Sequence, residues 1–170
     1  MIPWRWCPVY RAAVVTVSDR ASRGERQDES GRTAGEMLSG IATVEEYRVI
    51  SDDMEQIIET LVDLSDRKRV HLVITTGGTG FGPRDNTPEA TLAVVEREAP
   101  GLAEAMRVEG LKETPRAMLS RAVAGIRQNT LIINLPGSPK AVRAGLSVLL
   151  PVLPHALEVL AGRAGECGRE

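Results

Sequence analysis

A glycine-rich segment between residues 75 and 89 carries the residue types that could hold a phosphorylated ligand. Its sequence is Thr75-Thr76-Gly77-Gly78-Thr79-Gly80-Phe81-Gly82-Pro83-Arg84-Asp85-Asn86-Thr87-Pro88-Glu89. Glycines let a backbone bend and approach a ligand closely. Exposed amides ahead of a helix N-terminus also favour anions. The segment has neither the closing Gly-Lys-Ser/Thr of a Walker A loop nor the spacing of a dinucleotide fingerprint. We interpret it as a ligand cradle rather than as a structural turn.

Two carboxylates, Asp52 and Asp85, are candidates for metal binding. Mg²⁺ prefers oxygen ligands and commonly bridges to substrate phosphates, so two acids near a phosphate loop suit it. Spacing alone leaves other roles open. Asp52 could be a loop carboxylate or a helix cap, a role for which Asp53 competes. Asp85 could pair with Arg84 or form an Asx-type turn.

The elements that must position these residues alternate between strand and helix. Strands are predicted at residues 12–17, 44–50, 70–75 and 130–135, with a further candidate at 122–126. Helices are predicted at 32–41, after a cap at Asp53, after a cap at Thr87 with Pro88 in the first position, and at 102–111, 115–121 and 141–160. Pro151 and Pro154 should divide the last helix in two. The alternation predicts a single-domain α/β fold, a three-layer αβα sandwich with a mostly parallel central sheet.

In such a sheet, ligands collect beyond the carboxyl ends of the strands. Asp19, Asp52, the glycine-rich segment and residues 136–138 each follow a predicted strand, and we expect them to converge at one edge. Asn129 suggests a turn between 122–126 and 130–135, which would make these two strands a hairpin-like addition. Asp28 lies in the loop after the first strand, which could form a wall or lid of the site or a plain polar surface. Lys140 could contact phosphate or solvent.

Composition limits the classes of partner. The chain has 170 residues, 42% hydrophobic and 26% charged, with a formal charge of -2, so it gives no electrostatic footprint for nucleic acid. No segment has the length of a transmembrane helix or the form of a secretory signal, so we expect no membrane partner and a cytoplasmic location. Cys7 and Cys167 are interpreted as free thiols, although a disulfide between them is conceivable. His71, within an apolar run, is interpreted as a packed strand residue.

Four segments together resemble the MoaB/Mog family of molybdenum cofactor biosynthesis. They are the glycine-rich segment, Ser18-Asp19-Arg20-Ala21-Ser22-Arg23-Gly24 with Asp28, Ile50-Ser51-Asp52-Asp53, and Ile133-Asn134-Leu135-Pro136-Gly137-Ser138-Pro139-Lys140. The resemblance spans residues 14–160, nearly the whole chain. It implies a domain at 12–162 between an N-terminal arm at 1–11, which contains Trp4 and Trp6, and a C-terminal tail at 163–170.

The resemblance implies a molybdopterin adenylyltransferase that transfers AMP from ATP to the terminal phosphate of molybdopterin and releases pyrophosphate. Asp52 and Asp85 take the two catalytic positions and act with Mg²⁺, bound directly or through water. Nucleotide and pterin phosphate would be bound by Ser18, Asp19, Thr75, Thr76, Gly77, Gly78, Thr79, Gly80, Glu89, Pro136, Gly137, Ser138 and Lys140. The family is typically trimeric, and hand-over of the product to a molybdate-insertion protein is implied.

Two other functions stay open from the sequence. A molybdopterin-binding carrier would bind the pterin without efficient adenylyl transfer, and a generic nucleotide-binding regulator would bind ATP without affinity for the pterin. The presence of both Asp52 and Asp85 favours the enzyme, because a carrier has no need of two carboxylates beside its phosphate loop.

Overall fold

The computed structural model describes residues 10–163. The tryptophan arm, both cysteines and the residues from 164 onward lie outside this range. The predicted domain boundaries therefore stay predictions. Within the described range, the first strand begins at Tyr10, two residues earlier than predicted.

Six strands form one sheet in the order β2-β1-β3-β6-β5-β4. They are β1 (Tyr10–Val17), β2 (Ala42–Ile50), β3 (Leu72–Thr76), β4 (Arg97–Glu98), β5 (Ala124–Arg127) and β6 (Thr130–Leu135). The pairings of β2 with β1, β1 with β3 and β3 with β6 are parallel. The expected hairpin of β5 and β6 is confirmed as an antiparallel pair, and β4 extends it as a short edge strand that the sequence did not reveal.

Seven α-helices connect and cover the strands within the described range. They are α1 (Asp19–Ser22), α2 (Glu29–Leu38), α3 (Met54–Val62), α4 (Thr87–Val94), α5 (Pro100–Glu113), α6 (Pro139–Leu149) and α7 (Leu153–Leu160). A π-helical turn (Asp63–Arg67) extends α3, and a 3₁₀ turn (Pro115–Leu119) follows α5.

Successive strand residues feed two separate cores, one on each face of the sheet. Val14 packs into the core beneath α2, α5, α6 and α7, whereas Ala13 and Val15 pack into the core beneath α3 and α4. Strands buried on both faces are apolar throughout, which is why residues 12–15 form a continuous hydrophobic run. The prediction of a three-layer α/β fold is confirmed.

Helix boundaries differ from the predictions where a cap was misjudged. Helix α2 begins three residues early because the Asp28 carboxylate accepts a hydrogen bond from Gly31 N at 2.9 Å. The cap of α4 is Asn86 rather than Thr87, which is the first helical residue. The cap at Asp53 is confirmed, since its carboxylate accepts from Gln56 N at 2.9 Å.

The C-terminal apolar stretch forms two helices, as predicted. Pro151 lies in the break between α6 and α7, whereas Pro154 sits in the first turn of α7 and does not interrupt it. The two helices meet at 64°. No single helix within residues 10–163 is long and apolar enough to span a membrane, and the bent pair α6–α7 meets that test only when taken together.

Candidate functional site

The predicted residues converge at the carboxyl edge of the four parallel strands. Val17 pairs with Ile50, and Thr76 pairs with both Thr16 and Leu135, so the four strands end at nearly the same level. The segments that follow them therefore meet above the sheet. This confirms the expected convergence and brings the glycine-rich segment against residues 136–138.

A first cavity, here called the polar cleft, opens between the loop after β1 and the glycine-rich segment. It has a volume of about 220 Å³, and its wall includes the backbone of Gly77, Gly78 and Gly137. Its charged lining residues are Arg26, Asp28, Glu29, Asp52 and Asp85. A cleft with this lining can accept hydrogen bonds from a ligand rich in N–H groups, and it needs added positive charge before phosphates can enter.

A second cavity, here called the apolar groove, runs between α5, the 3₁₀ turn and α6. It has a volume of about 550 Å³ and lies against Met106, Gly110, Leu119 and Gly145. Basic and polar side chains stand among its lining residues, namely Arg107, Arg116, Ser120 and Lys140. A groove of this kind can hold a flat, largely apolar ring system with a polar or anionic end.

The two cavities share Gly78, Asp85 and Gly137. Gly77 and Gly78 adopt positive φ values of 97° and 64°, and an added Cβ would collide with Val17 O at Gly77 and with Thr87 Oγ1 at Gly78. Backbone hydrogen bonds from Gly77 N to Leu135 O and from Thr87 N to Gly78 O, both at 3.1 Å, fix this turn. The junction between the cavities is therefore a rigid glycine turn that larger residues cannot form.

Arg84 compensates the negative charge of Asp19 beside the junction. Arg84 donates from Nε to Asp19 Oδ2 at 2.6 Å and from Nη2 to Oδ1 at 2.9 Å. The hydrogen bond from Arg84 lowers the pKa of Asp19, and the backbone N–H of Asp52 lowers it further. The alternative in which Arg84 pairs with Asp85 is therefore wrong.

Asp52 experiences the opposite electrostatic environment. Burial raises the pKa of its carboxyl, and the charges of Asp19 and Asp85 raise it further. The alternative role of Asp52 as a helix cap is excluded, because Asp53 caps α3. An acid that is disfavoured in its charged form at a cleft, with a second acid nearby, is a recognised mark of a functional site.

Asp85 is held by its own loop and by Arg121. Its Oδ2 accepts a hydrogen bond from Gly82 N at 2.8 Å. Arg121 donates from Nη2 to the backbone carbonyl of Asp85 at 2.6 Å and from Nε to Gly80 O at 2.8 Å, and it also pairs with Glu89. The guanidinium therefore fastens the loop on both sides of Asp85.

Other predicted site residues divide between the cavities and their surroundings. Ser18 lines the polar cleft and Ser138 lines the apolar groove, while their hydroxyls cap α1 and α6. Thr76 lines the polar cleft, and Thr79, Gly80 and Pro136 line the apolar groove.

Four predicted residues have partners outside the junction. Thr75 is fully buried behind the loop, where its hydroxyl accepts from Asn134 Nδ2 at 3.0 Å. Glu89 faces outward with Arg121, and Lys140 pairs with Glu113 at 2.7 Å on the rim of the apolar groove. Asp19 is occupied by Arg84.

Sequence reasoning gave no defined role to Asp28 and overlooked Arg121. Asp28 lines the polar cleft, and its carboxylate accepts from Thr16 Oγ1 at 2.5 Å and from the Tyr47 hydroxyl. The only indication of Asp28 in the sequence was its position in the loop after the first predicted strand. The role of Arg121 carried no local signal, because its partners, the carbonyls of Gly80 and Asp85 and the carboxylate of Glu89, lie 32 to 41 residues earlier in the chain. No sequence pattern predicted the apolar groove either, because its lining residues are of types that are common in any helix.

A mostly parallel sheet covered on both faces, with a glycine turn and two carboxylates at the carboxyl edge of its parallel strands, places the chain in the class of α/β domains whose ligands collect at that edge. Residues 13–155 match the family model described as a probable molybdopterin binding domain, and the chain belongs to that family. The resemblance to MoaB/Mog proteins is thereby confirmed.

The relatives have names that agree with this family. The chain is 43% identical over 152 residues to a molybdopterin adenylyltransferase of Helicobacter pylori strain J99, with 88% of this chain and 86% of the relative covered. It is 47% identical over 139 residues to that of Escherichia coli K12, with 80% and 71% covered. The crystal structure of the molybdopterin biosynthesis enzyme MoaB from Thermus thermophilus superposes with a TM-score of 0.87 at 48% identity, with 93% and 100% covered.

Proposed function

We propose that this chain is a molybdopterin adenylyltransferase, which transfers AMP from ATP to the terminal phosphate of molybdopterin. The names of relatives at 43–47% identity over most of the chain support this reaction. The observation that carries the proposal is the shared wall of the two cavities at Gly78, Asp85 and Gly137. Two substrates that must react with each other need adjoining cavities, and a one-ligand carrier does not.

The contrast between the cavities supports an assignment of the substrates. The adenosine of ATP occupies the apolar groove, which offers the larger apolar surface and Arg116 and Lys140 near its rim. The pterin occupies the polar cleft, where Asp28 can accept hydrogen bonds from ring N–H and amino groups. The phosphates of both substrates then meet at the glycine junction.

Mg²⁺ fits the acids at this junction. Within residues 10–163 no cluster of three or more His, Cys, Asp or Glu side chains could hold a metal by itself. Two carboxylates, Asp52 and Asp85, suit a cation that keeps several waters and arrives with a triphosphate. When bound, Mg²⁺ neutralises phosphate charge. Burial and, to a smaller extent, the charges of Asp19 and Asp85 raise the pKa of Asp52, and a bound cation would favour the charged form of this carboxyl.

The reaction requires the chain to position the substrates and to neutralise charge, and it requires no covalent intermediate. An oxygen of the terminal phosphate of molybdopterin bonds to the α-phosphorus of ATP. The bond between that phosphorus and the oxygen bridging to the β-phosphate breaks, and pyrophosphate leaves with the electron pair. The rigid turn at Gly77 and Gly78 holds the phosphates, and Arg121 holds the Asp85 loop against them.

The decisive experiment incubates the purified chain with molybdopterin, ATP and MgCl₂ and follows adenylylated molybdopterin by mass spectrometry and pyrophosphate by a coupled assay. Equal amounts of both products are expected, with none when ATP or MgCl₂ is omitted. Tight pterin binding without either product would establish the carrier instead. ATP binding without pterin affinity would establish a nucleotide-binding regulator.

We also propose that the chain works as a homotrimer in the cytoplasm, where ATP is available, and hands its product to a molybdate-insertion protein. Self-association is supported by exposed apolar side chains on α5 and the 3₁₀ turn, including Val108 and Met118, each 62% exposed. Light scattering coupled to gel filtration should give three times the chain mass of 18.4 kDa. A monomeric mass at micromolar concentration would refute the trimer.

A further inference from the structure

The hydroxyl of Thr87 is a buried polar group without a hydrogen-bond partner among the described residues. Thr87 is fully buried. Its remaining polar atoms are both engaged, since its N–H donates to Gly78 O at 3.1 Å and its carbonyl accepts from Thr91 Oγ1 at 2.8 Å. A buried hydroxyl without a partner carries its full desolvation penalty, and such a group in a native fold calls for an explanation.

Helix capping does not explain this hydroxyl. The cap residue of α4 is Asn86, and Thr87 is already inside the helix. Valine has almost the same shape as threonine and would fill the same space without a polar group to bury. Burial of the hydroxyl therefore lowers the stability of the fold without a compensating gain in packing. Such a loss is expected at functional sites.

The position of the hydroxyl indicates what it serves. Thr87 Oγ1 lies against Gly78, so close that a Cβ added to Gly78 would collide with it, and Asp52 Oδ1 lies 3.4 Å from the position of that added Cβ. The other oxygen of Asp52, Oδ2, accepts from Asp19 N at 2.7 Å. Within residues 10–163, Asp52 Oδ1 accepts no hydrogen bond, so an uncommitted donor and an uncommitted acceptor flank the same glycine.

We propose that Thr87 is a positioning residue for Asp52, whose hydroxyl donates to Asp52 Oδ1 when phosphorylated substrates fill the junction. With Oδ2 held by Asp19 and Oδ1 held by Thr87, the carboxylate has one orientation toward the phosphates. Among the described residues the hydroxyl has no partner, and we expect its bond to Asp52 Oδ1 to form when the site is loaded. The inference rests on the proposed function, in which Asp52 is one of the two acting carboxylates.

The test compares three variants of the full chain, Thr87→Val, Thr87→Ser and Ser65→Ala. Ser65 is the matched control because it is also buried, its hydroxyl also lacks a partner within the described range, and it lies in the π-helical turn after α3. Each variant is measured for melting temperature without ligand, for the melting-temperature increase with ATP and MgCl₂, and for kcat and KM.

Thr87→Val should raise the melting temperature of the free protein by about 2–4 °C, because it removes the unpaired hydroxyl. It should also lower kcat roughly tenfold, leave KM for molybdopterin within about twofold, and diminish the ligand-induced increase in melting temperature. Thr87→Ser should restore most of kcat. Ser65→Ala should keep kcat at the wild-type value.

Two results would overturn the inference. Wild-type kcat in Thr87→Val would show that the hydroxyl has no part in the reaction. A lower melting temperature in Thr87→Val, with no rescue of kcat by Thr87→Ser, would show that the hydroxyl is structural. Failure of the proposed function is distinguishable from both, because the wild-type chain would then form no adenylylated product while the melting-temperature comparison remained measurable.

Discussion

Asp19 and Asp52 hold each other by reciprocal hydrogen bonds. Asp19 N donates to Asp52 Oδ2 at 2.7 Å, and Asp52 N donates to Asp19 Oδ1 at 3.0 Å. The bonds join the ends of β1 and β2 beside the glycine junction. Because Arg84 also binds both oxygens of Asp19, the charge of Asp19 is compensated, whereas Asp52 and Asp85 line the cavities without an ion-pair partner among the described residues.

Replacement of Asp85 by Asn should lower kcat by roughly 10²–10³-fold, the usual cost of losing one electrostatic contact to a transition state. The fold should persist, because an Asn side chain still accepts the hydrogen bond from Gly82 N. Steady-state kinetics and far-UV circular dichroism measure the two effects. Glu36→Gln, which removes an exposed carboxylate on α2, is the control and should behave as wild type. A near-normal rate for Asp85→Asn would remove this carboxylate from the mechanism.

Replacement of Arg121 by Lys should lower kcat about tenfold, because an ammonium cannot reproduce the fork that binds Gly80 O and the Asp85 carbonyl. Arg127→Lys is a matched control. Arg127 also makes a forked contact, with Asp66, and also donates to a backbone carbonyl, that of Val94, but it lies away from both cavities.

Both arginine variants should lose similar stability in urea denaturation, whereas only Arg121→Lys should lose turnover. Wild-type kcat in Arg121→Lys would show that Arg121 contributes to stability alone. A comparable loss of kcat in both variants would indicate that each substitution lowers activity by destabilising the fold.

The sequence predicts best where local chemistry decides the structure. Apolar runs marked the buried strands, and Asp53 was correctly placed as the cap of α3 because a side chain three residues from its target N–H needs no tertiary information. The convergence of Asp52 with residues 136–138 followed from parallel strands ending at one edge. These inferences require only the order of the strands and helices along the chain.

The predictions were wrong or incomplete where distant contacts decide. The partner of Arg84 is Asp19, which is 65 residues away in the chain, rather than its neighbour Asp85. Arg121 reaches the glycine-rich segment because the chain ahead of β5 lies beside that segment, where Arg121 N donates to Thr79 O at 2.9 Å. The apolar groove arises from α5 packing beside α6, and no spacing along one helix records that arrangement.

The Tyr47 phenol should ionise at an unusually high pH, and its pKa reports on the neighbouring Asp28 carboxylate. Burial, together with the hydrogen bond and charge of Asp28, raises the pKa of Tyr47 from 10.0 to about 12. Because the folded protein holds the phenol proton more tightly than the unfolded chain, this contribution to stability is complete below pH 10 and is lost between pH 10 and about 12.

Phenolate absorbance during an alkaline titration measures this directly. The chain has two tyrosines, so the difference between the titrations of the wild type and Tyr47→Phe isolates Tyr47, which should contribute a component near pH 12. Asp28→Asn should lower the pKa of Tyr47 only in part, since burial is the larger cause. A Tyr47 component near pH 10 in that difference would refute the environment that raises the pKa of Tyr47.

Replacement of Gly78 by Ala should destabilise the chain by at least about 2 kcal/mol, since it combines a strained positive φ with overpacking. The added methyl would collide with Thr87 Oγ1 and press on Asp52 Oδ1, and Gly78→Val should weaken binding of both ATP and molybdopterin as well.

Gly35→Ala is the matched control. Gly35 lies inside α2 with no atom within 4 Å of an added Cβ, so alanine there should stabilise the chain by about 0.5–1 kcal/mol. Urea denaturation and isothermal calorimetry separate stability from affinity. Unchanged affinity for both substrates in Gly78→Val would place the phosphates elsewhere and refute the close approach of this turn to them.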